Sequence, residues 1–224
     1  GMITDIHRSY AAAGADVLTT NSFGANRLSL TQFGLAEQVA AINLAAARLA
    51  RAAADQAGRP LLVAGSLGPL HTLGSTAEER IRHLAEQAAA LVEGGVDFLV
   101  FETLPSPEAA QEARAAVAAL RQPAAFVLSH SVPADGDVES AVRHRLLDWS
   151  PADGPVPAAI GFNCCIGPDQ MLSVVEVAVR SCRLPLIIQP NAGAPRNIDH
   201  RQLYLCSPEY FTEYARRYVN LGAR

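Results

Sequence analysis

The apolar positions of the chain fall into short continuous runs that alternate with longer, alanine-rich amphipathic stretches. Runs that are apolar at consecutive positions are typical of strands buried on both faces of a sheet. They predict six strands, over 16–23, 59–66, 97–102, 124–129, 158–163 and 185–189. Helical propensity predicts seven helices, over 3–13, 35–56, 76–93, 106–120, 141–147, 168–180 and 207–220.

Repeated βα units predict a parallel sheet, either open or closed. The turns AGAD (13–16) and GGVD (94–97) each precede a strand, and LGAR (221–224) has the same form. By this pattern we expect a further strand after the last residue, and a strand is also missing before the first helix. A (β/α)8 barrel typically takes about 250 residues. The expected fold class is therefore α/β, a TIM (β/α)8-type barrel that is incomplete, with about six of eight strands and without the first and last, as one partial domain over 1–224.

Residues 130–157 fit this alternation poorly, because they hold several Pro and Gly residues and few apolar ones. We interpret the segment as a long, loosely ordered connection between a strand and a helix rather than as a domain boundary.

Composition narrows the function classes. Half of the 224 residues are hydrophobic and 18% are charged, a balance that allows a substantial core. The net charge is −4 and no basic run is present, so we expect neither nucleic acid nor an anionic membrane as a partner. No run approaches the roughly 20 apolar residues of a membrane helix. Four cysteines without a signal-peptide pattern indicate a reducing, cytoplasmic location.

Candidate chemistry lies where the predicted strands end, because the carboxyl ends of parallel strands form the active site in such folds. Asn21, Glu102, His130, Cys164 and Asn191 all stand at or just after these ends. Turn formation explains the Gly and Pro residues found there. It does not require a carboxylate, a cysteine pair or two asparagines.

Each of these residues also has an ordinary structural interpretation. Cys164 could be a metal ligand, a nucleophile or a packed core thiol. Glu102 could bind a substrate ammonium group or be a solvated loop residue. Asn21 and Asn191 could be turn residues. His130 could be a general base or an incidental loop histidine.

Several motifs, taken in order, are more specific than any single residue. The chain is similar to the homocysteine-binding domain of homocysteine S-methyltransferases, as in cobalamin-dependent methionine synthase and in fusions with methylenetetrahydrofolate reductase. The motifs that carry this resemblance are HRSYAAAGADVLTTNSFGANR (7–27), AGSLGP (64–69), VDFLVFET (96–103), IGFNC (160–164), QPNAGAP (189–195) and YLCSPEYFTEYARRYVNLGAR (204–224). The chain departs from the family at 130–155, where a Gly-Arg-Thr-type segment is usual.

The resemblance implies a TIM barrel with a catalytic zinc ion held by three cysteines. One of them corresponds to Cys164, and the other two belong to a Gly-Gly-Cys-Cys motif that would come after Arg224. Asn191 would lie beside the zinc, where family members can use it as a ligand. The zinc site is therefore expected to be incomplete in this chain.

The resemblance also implies the substrate contacts. Glu102 would bind the ammonium group of homocysteine, and Asn21 and Asn163 would line the pocket. No residue is assigned as a catalytic acid or base.

The implied reaction transfers a methyl group to a zinc-bound homocysteine thiolate and gives methionine. The methyl donor is undetermined, with methylcobalamin and methyltetrahydrofolate among the candidates. We expect the chain alone to be inactive, because two of three thiolates are missing. The alternative is a non-catalytic binding or assembly module, in which exposed barrel edges pair with a second copy.

Overall fold

The computed structural model describes residues 1–70, 74–133, 136–146, 154–193, 196–198 and 201–223. Its strands are β1 Val17–Thr19, β2 Leu62–Leu67, β3 Phe98–Leu104, β4 Ala125–His130, β5 Ala159–Asn163, β6 Leu186–Gln189, β7 Arg196–Ile198 and β8 Arg201–Leu203. Its α-helices are α1 Met2–Ala12, α2 Arg27–Thr31, α3 Val39–Asp55, α4 Ala77–Glu93, α5 Pro107–Ala118, α6 Val138–Arg145, α7 Pro168–Ser181 and α8 Pro208–Leu221, and a 3₁₀ turn spans Ala36–Gln38.

Strands β1 to β6 form one parallel sheet whose spatial order is the sequence order. Each neighbouring pair is in parallel register; Leu18 pairs with Val63, for example, and Phe162 pairs with Ile188. The sheet forms an open half-barrel, with β1 and β6 at its two edges. The predicted α/β fold, an incomplete TIM-type barrel of six parallel strands, is confirmed.

The helices begin where side chains can satisfy their first backbone N–H groups. Thr76 accepts a hydrogen bond from the Glu79 N–H, and the Glu79 side chain accepts one from the Thr76 N–H, which makes a capping box. Ser106 and Ser207 cap α5 and α8, each followed by a proline at the first helical position.

The main core lies between the sheet and the helices that cover it. Phe101, Phe126 and Phe162 are fully buried, and the rings of Phe101 and Phe126 meet edge to face with centroids 6.4 Å apart. A smaller cluster joins β1 and β2 to the alanine face of α3. Small residues matter at the α3–α4 contact, because any side chain at Gly94 would collide with Ala47.

Three local predictions differ from the structure. The first strand was expected over 16–23, but β1 ends at Thr19, because residues 20–26 fold into turns and Asn26 then caps α2 by accepting the Ser29 N–H. The α2 helix and the antiparallel β7–β8 hairpin were not predicted. The long helix expected over 35–56 begins as a 3₁₀ turn and becomes α-helical only at Val39.

The loosely ordered connection expected over 130–157 contains α6, close to the short helix predicted over 141–147. Residues 134–135 and 147–153, within that prediction, lie outside the described part of the chain. Among the described helices, none has both the length and the apolar content needed to cross a membrane.

Candidate active site at the strand ends

The carboxyl ends of the parallel strands open into a cavity of about 800 Å³. Helix α1 forms one side of it, and residues from the ends of β1, β2, β3, β5 and β6 form the rest. Its wall consists of Ile3, Ile6, His7, Tyr10, Val17, Leu18, Thr19, Thr20, Asn21, Phe23, Ser66, Glu102, Thr103, Cys164 and Gln189. The cavity lies where the fold class places active sites.

Three of the five residues predicted to form the site share this wall, namely Asn21, Glu102 and Cys164. They come from the segments after β1, within β3 and after β5, so only the folded sheet brings them together. Asn163 and Asn191 are not part of the wall.

Glu102 is a half-buried carboxylate near the end of β3. Its Oε1 accepts a hydrogen bond from the Ser66 hydroxyl. Burial raises the pKa of the Glu102 carboxyl above its ordinary value, and the hydrogen bond from Ser66 opposes that rise. A carboxylate held in this way can accept a cationic group that enters the cavity.

Asn163 lies behind the wall and is only 1% exposed. Its Oδ1 accepts hydrogen bonds from the Thr103 N–H at 2.9 Å and from the Ser129 hydroxyl at 2.7 Å. Its Nδ2 donates to Thr103 Oγ1 at 2.8 Å and to Cys164 Sγ at 3.2 Å. The amide group is thus used within the protein, and it holds the cysteine side chain.

The backbone is strained beside this amide. Thr103 has φ 61°, Cys164 has φ 60° and Cys165 has φ 66°, all in the left-handed region. A β-branched residue rarely adopts such a conformation. It allows Thr103 to bond Asn163 through both its N–H and its hydroxyl, and that hydroxyl also lies 3.7 Å from Cys164 Sγ as a donor. Two protein donors therefore hold the sulfur of Cys164, a residue that lines the cavity.

The two remaining asparagines differ in position. Asn21 is exposed at the cavity wall, in the turn after β1. Asn191 follows β6 and is half-buried, and its backbone N–H donates to the Ile166 carbonyl at 3.0 Å. This bond ties the segment after β6 to the loop that contains Cys164.

The resemblance implies a zinc ion. The residues at these positions can be compared with the ligands that such an ion needs. Cys164 is a soft donor at the cavity wall and suits zinc as one ligand. Among the described residues, however, no group of three or more His, Cys, Asp and Glu side chains could hold a metal ion. The residues that the structure describes do not complete a zinc site by themselves.

His130 lies away from the cavity, although it ends a strand. It is completely buried against Phe162, with ring centroids 6.2 Å apart, and neither ring nitrogen has a partner in the described structure. Burial, with the nearby Arg145 charge, lowers the pKa of His130 to about 3. Of the two interpretations left open for this histidine, the position does not favour a base that acts in the cavity.

Sequence reasoning did not single out several residues of the wall. Thr20, Ser66 and Thr103 were visible only as polar residues near strand ends. His7 lines the cavity from α1, is 5% exposed, and has its pKa lowered by burial. The pattern of α1 gave no sign that a histidine on it would reach the strand ends.

Comparison with known proteins identifies a family for the chain. The family model "Homocysteine S-methyltransferase" matches residues 1–224. A methionine synthase of Mycobacterium tuberculosis is 31% identical over 208 residues, which are 87% of this chain and 17% of that protein. The chain therefore spans less than a fifth of that relative.

Solved structures show the same fold. The oxidized form of the homocysteine methyltransferase MmuM from Escherichia coli superposes with a TM-score of 0.77 at 25% identity, over 100% of this chain and 77% of that one. Its metallated form gives the same TM-score at 24% identity, over 99% of this chain and 77% of that one.

Proposed function

Because the chain belongs to the homocysteine S-methyltransferase family, we propose that its cavity binds homocysteine and that the protein transfers a methyl group to the homocysteine sulfur. The observation that carries this proposal is that Glu102 and Cys164, from two different strand ends, share one cavity wall. The carboxylate suits the ammonium end of an amino acid that carries a thiol, and the cysteine, as a possible metal ligand, suits its sulfur end.

Glu102 is proposed to bind the ammonium group. The side chain is half-buried, so an ion pair with a substrate cation would be less screened than one at the surface. Asn21 lies on the same wall and could bind the carboxylate or the chain of the amino acid through its amide.

Cys164 is proposed to mark the sulfur end of the pocket. Asn163, proposed from the sequence to line the pocket, acts in this proposal by holding Cys164 through its amide. Zinc is part of the proposal, with Cys164 as one ligand and Asn191 as a second, and its other ligands would come from outside the described residues.

The reaction requires the thiolate form of homocysteine, since a free thiol has a pKa of about 8.5 and is mostly protonated at neutral pH. The thiol proton goes to solvent, and a sulfur electron pair forms the new bond to the methyl carbon. The bond between that carbon and the donor breaks, and the donor keeps its electron pair. The donor, methylcobalamin or methyltetrahydrofolate among the candidates, stays unassigned, and we propose that this chain alone does not complete the reaction.

Calorimetric titration with L-homocysteine tests the binding step. Glu102→Gln should weaken binding about tenfold or more, the effect of one hydrogen bond to a charged group. Glu176→Gln removes an exposed carboxylate on α7 and should leave the affinity unchanged. Equal affinity in wild type and Glu102→Gln would contradict the assigned contact.

Metal content and turnover test the rest. We expect far less than one zinc ion per purified chain and no methionine from homocysteine with any of the donors. One tightly bound zinc ion per chain, or methionine formation, would show that the missing ligands are supplied and that the proposed inactivity is wrong.

A second candidate function is supported by the open side of the barrel. Strand β1 has one neighbour among the described strands. Its residue Val17 is 38% exposed, and Tyr10 of α1 and Leu62 of β2 are 61% and 50% exposed. Such an edge can pair with another strand, so a non-catalytic assembly module that pairs with a second copy is the alternative. Sedimentation of the purified chain distinguishes the two, since a monomer that binds homocysteine contradicts the assembly module.

A further inference from the structure

Three buried residues with hydroxyl groups, Ser66, Thr20 and Ser22, are connected to Glu102 by hydrogen bonds. Ser66, in β2, is 1% exposed, and its Oγ donates to Oε1 of Glu102. Within the described part of the chain, Ser66 is the one hydrogen-bond donor to this carboxylate. The position of the Glu102 head group therefore depends on a single hydroxyl.

Ser66 is itself held in place by a closed set of hydrogen bonds. Its backbone N–H donates to Thr20 Oγ1 at 2.9 Å, and its carbonyl accepts from Ser22 Oγ at 2.7 Å. The Thr20 and Ser22 hydroxyls are 2.6 Å apart, and these residues are 4% and 2% exposed. The Gln87 side chain donates to the Ser22 carbonyl at 2.7 Å and connects the set to α4.

This arrangement fixes the direction of one proton. A serine hydroxyl has one O–H donor, and here that donor points to Glu102. The hydrogen bond stabilises the ionised carboxylate, whereas burial favours the protonated one. The other titratable side chains on the cavity wall are His7, Tyr10 and Cys164, and none of them contributes to the shift of the Glu102 pKa.

We propose that Ser66 is a positioning residue for ligand recognition: Thr20 and Ser22 hold its backbone, and its hydroxyl orients the Glu102 carboxylate so that the second carboxylate oxygen meets the ammonium group of an amino acid. The ammonium part of this inference rests on the proposed function. The coupling between Ser66 and Glu102 rests only on the contacts around the two side chains.

The first experiment follows the titration of Glu102 in the ligand-free protein. Glutamate labelled with ¹³C at the side-chain carboxyl is observed by NMR, and Glu102→Gln assigns the signal. Ser66→Ala should raise the midpoint by about one pH unit, the tenfold change expected from one charge-assisted hydrogen bond. Ser66→Thr keeps the hydroxyl and should restore the midpoint. Ser181→Ala, a serine of α7 outside the cavity wall, should have no effect.

The second experiment measures L-homocysteine and L-methionine affinity from pH 5 to 9. Ser66→Ala should lower the affinity about tenfold, and the fall in affinity on acidification should begin at a higher pH than in wild type. A residue that only supports the fold would change the stability without shifting the pH at which the affinity falls. Ser66→Cys, with a weak S–H donor, should lie between wild type and Ser66→Ala, and it serves as the test if the alanine variant does not fold.

The two experiments separate the two levels of the inference. A Glu102 midpoint that is the same in wild type, Ser66→Ala and Ser66→Cys overturns the positioning role. If the midpoint responds to Ser66 but the wild type binds neither amino acid, the coupling stands and the proposed function is overturned.

Discussion

Two neighbouring residues of β4, Ser129 and His130, are almost equally buried but lie in different surroundings. Ser129 is 1% exposed and donates to Asn163, which in turn donates to Cys164. His130 is 0% exposed, packs against Phe162, and has no hydrogen-bond partner in the described structure. Successive side chains of a strand point to opposite faces, so one residue joins the site while the next enters the packing layer.

The comparison shows how the fold treats buried polar groups on the two faces. On the inner face, the described hydroxyl, amide and carboxylate groups share hydrogen bonds that end at Glu102 and Cys164. On the outer face, burial keeps His130 neutral by lowering its pKa to about 3. Removing a hydrogen-bonded group of the inner face should therefore lower the free energy of unfolding, whereas replacing the unpartnered His130 by an apolar residue should not.

The largest expected effect is that of Asn163→Ala. The change would leave the Ser129 hydroxyl and the Thr103 N–H without their acceptor, and each unsatisfied buried group costs about 1–3 kcal/mol. We expect a loss of roughly 2–4 kcal/mol in the free energy of unfolding, measured by urea denaturation. Asn21→Ala, at an exposed position, should stay within about 0.5 kcal/mol of wild type. Equal losses in Asn163→Ala and Asn21→Ala would contradict the stabilising role given to the hydrogen bonds of Asn163.

The second expected effect is a gain in stability, on replacing His130. The pKa of His130 is about 3 in the folded protein, against an ordinary value of 6.5. Below pH 6.5 the unfolded chain binds a proton at His130 that the folded protein does not bind. The protein with His130 therefore keeps its full stability above pH 6.5 and loses stability as the pH falls toward 3. His130→Leu removes both the titration and the unpartnered nitrogens. We expect it to be at least as stable as wild type at pH 8, with an advantage of about 1–3 kcal/mol by pH 4 to 5.

Urea denaturation at a series of pH values measures this advantage. His144→Gln, at an exposed position of α6, is the matched control and should follow the wild-type pH dependence. A constant difference between His130→Leu and wild type from pH 8 to pH 4 would show that His130 is not held neutral in the folded state.

The smallest expected effect is a change in thermal stability on replacing Glu102, within the site itself. The pKa of Glu102 is raised in the folded state, so its stabilising contribution is complete below the ordinary pKa of 4.5 and is lost as the pH rises through the folded value. Glu102→Gln should therefore raise Tm at pH 7.5 by roughly 2–4 °C, the shift that about 1 kcal/mol gives in a domain of this size. At pH 4 the two proteins should melt together, and Glu176→Gln should match wild type at both pH values.

Much of the fold could be predicted because it depends on local chemistry. Consecutive apolar residues specify the buried strands, and Thr76, Ser106 and Ser207 specify where α4, α5 and α8 begin. The hairpin β7–β8 could not be predicted in the same way, since its short strands carry no apolar run.

The site could be predicted only in part. Glu102 and Cys164 stand out in the sequence as a carboxylate and a cysteine at strand ends. The bonds of Asn163 depend on Thr103 at φ 61° and on a register shift between β3 and β4, and neither has a sequence signal. Ser66 is one polar residue in a Gly-rich stretch, and its role becomes visible only when β2 and β3 lie side by side.

The linear order of the strands also sets how long each part of the sheet keeps its amide protons. In deuterated solvent, the amides of β3 and β4, which have neighbours on both sides, should exchange last. Those of β1 and β6, which have one neighbour each among the described strands, should exchange first. Exchange by mass spectrometry would therefore record any molecule that covers an edge as slowed deuterium uptake in β1 or β6, with uptake in β3 and β4 unchanged.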